Sequence, residues 1–81
     1  MKEIVSVQYQ DANRILIVNT TGKMRILHTP FKVQCIVDIG RFKEGIYLYV
    51  QEVESGNGDT LIYIIGEGAY YHNNFRIVAN F

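Results

Sequence analysis

Apolar and polar residues alternate over short segments of this 81-residue chain, and this period of two is the feature that most restricts its fold. Successive side chains of a β-strand point to opposite faces, whereas an amphipathic helix repeats its apolar positions every three or four residues. No window shows the helical repeat together with caps, so we predict no long helix. The period of two occurs in eight segments with turn residues between them: 4–10, 14–20, 23–29, 33–39, 46–54, 60–65, 69–72 and 75–79.

The composition also favours sheet over helix. Ile, Val, Tyr, Phe and Thr supply 33 of the 81 residues, whereas Ala and Leu together supply seven. Side chains that are β-branched or aromatic pack well on a pleated, half-buried surface. We therefore predict an all-β chain of short strands.

Interruptions of the pattern predict where the strands end. Pro30 cannot donate to a β-ladder and ends the third segment. Gln51 and Glu52 are consecutive polar residues inside the fifth segment, which indicates a bulge or a sharp bend. The runs 40–45 and 55–59 are predicted loops, and the second of them reads Ser-Gly-Asn-Gly-Asp.

Two segments, 15–18 and 61–65, are apolar on both faces. A strand with one face in water alternates, so each of these two segments needs cover on both sides. Residues 1–30 can supply that cover as a β-hairpin layer on residues 31–81, and a second copy of the chain is the alternative. Either arrangement predicts one all-β domain, a small barrel or sandwich with an extra N-terminal β-hairpin layer.

From Val33 onward the segments run strand, long loop, strand, second loop, strand, tight hairpin, strand, short turn and strand. The stretch 68–75 reads Gly-Ala-Tyr-Tyr-His-Asn-Asn-Phe. This layout resembles a Src-homology-three-like barrel, whose ending has a glycine, an inward apolar residue, a proline and then Asn-Tyr-Val. The positions that match this ending are Gly68, Tyr70, Asn73 and Phe75.

The resemblance does not include the residues that grip proline-rich peptides in that family. Tyr71 stands where the family has its groove proline, and Asn74 stands where it has its groove tyrosine. The family's Ala-Leu-Tyr-Asp-Tyr opening is missing, and the chain has no tryptophan. The resemblance therefore implies the barrel for residues 33–79 and not the peptide-binding activity.

Charge, cysteine content and the length of the apolar runs argue against several classes of protein. Eight basic residues balance eight acidic ones, which disfavours nucleic acid as a partner because its phosphates demand a concentrated basic surface. One cysteine cannot form an intramolecular disulfide. The longest apolar runs are far shorter than the roughly 20 residues of a membrane span. We predict a soluble cytoplasmic protein with no membrane partner.

His28, His72 and Cys35 are the residues typical of catalytic bases and nucleophiles in this chain. A zinc site needs three or four ligands, commonly in close pairs, and no such pair occurs. Cys35 lies on an apolar face, where a thiol packs as a small hydrophobe, and we expect the histidines at a strand end and in a turn. We predict no metal site, no cofactor and no catalytic activity.

Aromatic and basic residues occur together in the long loop and on predicted outward faces. Tyr and Arg are enriched in protein interfaces, while aromatic and basic side chains together also stack single-stranded bases. Alternatively, outward tyrosines simply cover neighbouring strands. The candidate binding residues are Arg41, Phe42, Tyr47, Tyr49, Tyr71, Asn74 and Arg76.

These observations predict a non-catalytic protein-interaction or assembly module, and the alternative is a weak single-stranded nucleic-acid binder. The apolar surface also exceeds what one small barrel hides, with Tyr47, Tyr49, Ile62, Ile64 and residues 77–81 contributing. We therefore predict a homodimer joined through outer sheet faces or terminal strands.

Overall fold

The structure, a computed structural model, describes residues 3–79 and confirms the all-β class over that range. Its only helical element there is one 3₁₀ turn, and its strands form three antiparallel sheets of three strands each. The elements are β1 (Ile4–Asp11), β2 (Arg14–Asn19), β3 (Met24–His28), β4 (Phe31–Cys35), β5 (Tyr47–Val50), β6 (Glu52–Ser55), β7 (Leu61–Ile65), β8 (Gly68–Tyr71), the 3₁₀ turn (His72–Asn74) and β9 (Phe75–Ile77).

The N-terminal sheet has the strand order β1-β2-β3, so the three segments predicted within residues 1–30 form one layer of two successive hairpins. Its first turn is held by the backbone N–H of Asn13, which donates to the Asp11 carboxylate at 2.9 Å. The alternation of residues 4–10 predicts that Val5, Val7 and Tyr9 share one face, but the structure does not place Val5 on the face of Val7. The pairing register shifts between Ile4 and Ser6, which indicates a bulge at Val5. Because the bulge turns the Val5 side chain away from the core, this side chain is 64% exposed.

The central sheet has the order β5-β4-β9, so β4 has a neighbour on both sides. The segment predicted at 33–39 begins earlier, at Phe31, and ends at Cys35. Phe31 pairs with Val50 and extends the buried face, whereas Val37 is exposed because the chain leaves the sheet after Cys35. The loop that follows is fixed by the Asp38 carboxylate, which accepts a hydrogen bond from the backbone N–H of Glu44 at 2.8 Å.

The C-terminal sheet has the order β6-β7-β8 and is continuous in the chain with the central sheet. The predicted bend is confirmed: β5 ends at Val50 and β6 begins at Glu52. Between them, the N–H of Gln51 donates to the carbonyl of Ile64 at 2.9 Å. The backbone therefore stays hydrogen-bonded to β7 where the chain passes from the central sheet to the C-terminal sheet. The predicted loop after β6 and the predicted hairpin before β8 are also confirmed.

Residues from all three sheets form one buried cluster. Ile15 and Ile17 of β2 belong to the same cluster as Val33 of β4 and Tyr63 of β7. Residues 3–30 therefore cover one side of the later strands, as the first of the two predicted arrangements requires. Cys35 is buried in this cluster, which confirms its predicted packing role.

The outer face of the N-terminal sheet remains partly exposed. Leu16 pairs with Ile26 and Val18 pairs with Met24, which places these four apolar side chains together on the face opposite Ile15 and Ile17. Met24 is 68% exposed and Ile26 is 41% exposed. The predicted contribution of residues 80–81 to a dimer lies outside the described residues. Within residues 3–79, no helix is long and apolar enough to cross a membrane.

Candidate functional site

The face of the central sheet that points away from the core carries three of the seven candidate binding residues. Gln34 of β4 pairs with Tyr47 on one side and with Arg76 on the other, and Lys32 pairs with Tyr49. Because paired residues in a sheet project from the same face, these five side chains form one surface. We call it the tyrosine face: Lys32, Gln34, Tyr47, Tyr49 and Arg76.

Contacts within the tyrosine face hold its side chains in place. The Lys32 ammonium lies 4.7 Å from the centroid of the Tyr47 ring, within the range of a cation–π interaction. The Arg76 guanidinium donates to the Gln34 side-chain oxygen, and the Gln34 amide nitrogen donates to the carbonyl of Gly45 at 3.1 Å. Gln34 thus connects Arg76 to the loop that precedes β5.

The tyrosine face combines exposed aromatic area with positive charge. Tyr47 is 53% exposed and Tyr49 is 55% exposed. The ion pairs within residues 3–79 join Arg14 to Asp11 and Lys43 to Asp38, so neither Lys32 nor Arg76 is paired with a carboxylate there. The surface can therefore accept an anionic or hydrogen-bonding group between two apolar rings.

Arg41 and Phe42 lie in the loop between β4 and β5 and do not belong to the tyrosine face. Phe42 is half-buried, and its ring packs edge-to-face on Tyr70 with centroids 5.5 Å apart. Its backbone bonds reciprocally with Ile39 at 2.9 Å. Phe42 therefore anchors the loop, while Arg41 is exposed at its surface.

Tyr71 is the last residue of β8 and Asn74 lies in the 3₁₀ turn that follows, so neither belongs to the tyrosine face. Tyr71 is exposed at the end of β8 and pairs with Ile62, and the Asn74 amide donates to the Tyr71 carbonyl at 3.0 Å. A shallow depression of about 490 Å³ beside Tyr71 is lined by residues of β6, β7 and the loop between them. This second surface has no charged side chain among its described lining residues.

Sequence analysis missed Lys32 and Gln34 as site residues. The signal was present, because Lys32 and Gln34 alternate with Phe31, Val33 and Cys35. The predicted strand begins at Val33 and therefore excludes Lys32. For this reason the sequence did not reveal that Lys32 and Gln34 lie in one row on the same face.

Cys35, Tyr63 and His72 are of residue types that can act in catalysis, and each is held by packing or by a backbone hydrogen bond. Burial, with a smaller contribution from Asp38, raises the pKa of the Cys35 thiol and so disfavours its reactive thiolate form. Burial likewise raises the pKa of Tyr63. His72 lies in the 3₁₀ turn, as predicted, and its Nδ1 accepts a hydrogen bond from the N–H of Leu61 at 3.0 Å. Among residues 3–79, no group of three or more His, Cys, Asp or Glu side chains is arranged to hold a metal ion.

Comparison with known proteins does not assign this chain to a group: no protein family, no curated protein and no solved structure matches it.

Proposed function

We propose that the protein is a non-catalytic binding module that recognises another protein through the tyrosine face. The observation that carries this proposal is the alignment of Tyr47, Tyr49, Lys32 and Arg76 on one exposed sheet face. Tyr and Arg supply most of the binding energy in many protein interfaces, because they combine large apolar area with directed polar groups.

The preorganisation of the tyrosine face supports the same proposal. An interface loses affinity when flexible side chains must be ordered on binding, at about 0.5–1.5 kcal/mol for each. Lys32 is already placed over the Tyr47 ring, and Arg76 is already bonded to Gln34. These contacts reduce the ordering that a partner has to impose.

A single-stranded nucleic acid is the alternative partner of this surface. Two tyrosines beside two cations on a sheet can stack bases and contact phosphates. The net charge of zero disfavours it, since the rest of the protein adds no attraction for a polyanion. We therefore place a protein partner first.

The order of the strands is consistent with the resemblance to Src-homology-three-like barrels. Strand, long loop, bent strand, loop, strand, hairpin, strand, 3₁₀ turn and strand follow one another from β4 to β9, and the last strand lies beside the first. We propose membership of that fold class without its peptide-gripping groove, because Tyr71 and Asn74 occupy the groove positions.

Substitution of the two tyrosines tests the proposed function. Tyr47→Ser combined with Tyr49→Ser removes the aromatic area, while Tyr71→Ser removes an equally exposed tyrosine from the second surface. We expect the unmodified chain and the Tyr71→Ser variant to retain the same proteins from an extract of the native host. The double variant should fail to retain them. Retention by all three would contradict the proposal. Urea unfolding should show that each variant remains folded, with a loss of about 1 kcal/mol for each tyrosine removed.

A second measurement separates the two classes of partner. Fluorescence anisotropy with a labelled oligothymidine should show no binding at low salt if the partner is a protein. Micromolar binding that weakens steeply as salt is added, and that the Tyr47 and Tyr49 substitutions abolish, would instead assign the tyrosine face to single-stranded nucleic acid.

We also propose that the chain forms a homodimer through the outer face of the N-terminal sheet. Leu16, Val18, Met24 and Ile26 form an apolar patch without a charged residue among them, so two copies can meet there without repulsion. Sedimentation equilibrium at tens of micromolar should give a mass that rises above 9.3 kDa with concentration. A constant mass of one chain would exclude the dimer.

A further inference from the structure

A groove of about 520 Å³ separates the first strand of the N-terminal sheet from the last strand of the central sheet. Ile4 and Val7 of β1 line one side, and Phe75, Ile77 and Ala79 line the other. The groove is mainly apolar, and its volume lies in the range of ligand-binding clefts. The tyrosine face and this groove meet only at Arg76, which contributes to both.

One wall of the groove presents backbone groups that have no hydrogen-bond partner within residues 3–79. The N–H of Val78 donates to the Lys32 carbonyl and the N–H of Ile36 donates to the Asn74 carbonyl, both at 3.0 Å. Bonded and non-bonded pairs alternate along an antiparallel ladder, so the Ile77–Val33 pair between them is non-bonded. The N–H and C=O of Ile77 therefore point away from β4, and no hydrogen bond within residues 3–79 engages them.

An edge of this kind is a template for another strand. A strand that pairs with β9 would satisfy the N–H and C=O of Ile77 and bury its own apolar side chains against Ile4, Val7 and Phe75. We propose that an extended segment of a partner protein binds in this groove as an added strand, antiparallel to β9. This site shares Arg76 with the tyrosine face but uses the edge of β9 and the apolar groove, and the proposal does not depend on the function assigned to that face.

The side chains around the groove define the chemistry of the segment. Residues opposite Phe75, Ile77 and Ala79 face the apolar floor, so alternate positions of the segment are apolar. The residue opposite Arg76 projects on the outer side of the sheet, where the guanidinium has no carboxylate partner within residues 3–79. An acidic residue fits there, while Glu3 lines the groove and disfavours further acidic residues beside β1.

A single extended segment fits this groove better than the edge of a second folded copy. A strand of a folded sheet brings a neighbouring strand with it, and β1 occupies the far wall of the groove. Pairing between two copies would have to displace that wall. An isolated strand contacts both walls at once, because it has two edges and two side-chain faces of its own.

Peptide titration followed by NMR tests the proposal on the full chain. The probe is the acetylated and amidated peptide Val-Thr-Val-Glu-Val, whose central valine is placed opposite Ile77 and whose Glu is placed opposite Arg76. We expect the amide signals of Ile77 and Ala79 to shift most, and the Ile77 amide to gain protection from hydrogen exchange. The same peptide with an N-methylated central valine should bind at least about tenfold more weakly, because it loses a backbone bond and clashes with the edge.

Charge exchange provides the second part of the test. Replacing Glu by Lys in the peptide should weaken binding to the unmodified chain, and Arg76→Glu should restore binding of the Lys peptide. Equal binding of the N-methylated and unmethylated peptides, or no shift at Ile77 at millimolar peptide, would overturn the proposal. Shifts at Ile77 that depend on protein concentration without peptide would assign the edge to a second copy and would also overturn it. Because Tyr47→Ser and Tyr49→Ser leave the β9 edge intact, binding by that double variant separates this result from the fate of the tyrosine face.

Discussion

The N-terminal and central sheets are both antiparallel and three-stranded, yet their outer faces have opposite chemistry. In the central sheet, Lys32 and Gln34 alternate with buried residues, and their outward side chains bond to neighbours on β5 and β9 or to the adjoining loop. In the N-terminal sheet, the middle strand β2 is apolar on both faces, and its outward Leu16 and Val18 lie beside the exposed Met24 and Ile26.

The difference shows how the same architecture produces two kinds of surface. A polar and aromatic face with its own internal contacts is stable in water and can bind a partner reversibly. An apolar face gains free energy whenever it is covered, so it favours association. This difference is the basis for proposing recognition of another protein through the central sheet and assembly through the N-terminal sheet.

The largest expected effect is a loss of stability at the buried cluster, to which the sheets all contribute. Ile15→Ala in the N-terminal sheet and Ile65→Ala in the C-terminal sheet each create a cavity in the same buried cluster. Each should lower the free energy of unfolding by about 3 kcal/mol in urea titrations. A loss below about 1 kcal/mol for Ile15→Ala alone would mean that the N-terminal sheet is not part of the cooperative core.

The next effect is specific to the N-terminal sheet. The side-chain oxygen of Asn19, a buried residue, accepts hydrogen bonds from the Thr21 N–H, the Thr21 hydroxyl and the Lys23 N–H, so this residue builds the turn between β2 and β3. Asn19→Ala should cost about 2 kcal/mol of unfolding free energy, because the turn loses three part-buried hydrogen bonds. Asn13→Ala, at the exposed turn between β1 and β2, is the matched control and should cost less than half as much.

At the apolar outer face of the N-terminal sheet, a charged substitution should change the free energy of unfolding little and weaken self-association strongly. Met24→Lys introduces a charge at a position that is 68% exposed, so unfolding free energy should change by less than about 0.5 kcal/mol. The proposed dimer should dissociate at least about tenfold more readily, as measured by sedimentation equilibrium, because the charge would be buried in the interface. If Tyr47→Ser weakens the dimer and Met24→Lys does not, the roles assigned to the two sheets are reversed.

The smallest effect is a pH dependence at the edge of the N-terminal sheet. Hydrogen bonds from the Arg14 side chain, and then from the Asn13 N–H, hold the pKa of the Asp11 carboxyl below its ordinary value. A lowered folded-state pKa gives a contribution to stability that is present above about pH 4 and is lost as the pH falls through the folded-state pKa. NMR titration of the Asp11 carboxyl carbon should show this low midpoint, and Arg14→Gln should move it back toward the ordinary value.

Much of the fold was predictable because its strands alternate and its turns contain residues with strong local preferences. The bend at Gln51 followed from two consecutive polar residues, and the loop after β6 followed from its glycines and asparagine. The bounds of β4 were not predictable in the same way. The alternation of Val33 and Cys35 continues through Val37, but a strand ends where its neighbours stop pairing with it, and this is a property of β5 and β9.

The candidate site was predicted in part. Tyr47, Tyr49 and Arg76 were selected for their chemistry, and the pairing of β4 with β5 and β9 brings them onto one face. Phe42 has the same chemistry as an exposed aromatic, yet its ring packs on Tyr70. A loop residue has no periodicity from which its direction can be inferred, so only the packing decided this case.

The sequence by itself determined the all-β class, most of the turns and the inward faces of β4 and β5, because these depend on local backbone preference and on a period of two. Tertiary structure decided which strands became neighbours. It placed Lys32 over Tyr47 and Arg76 against Gln34, and among residues 3–79 it left one edge of β9 without a strand. These features depend on contacts between residues far apart in the chain, and such contacts follow from how the three sheets share one core rather than from any local pattern.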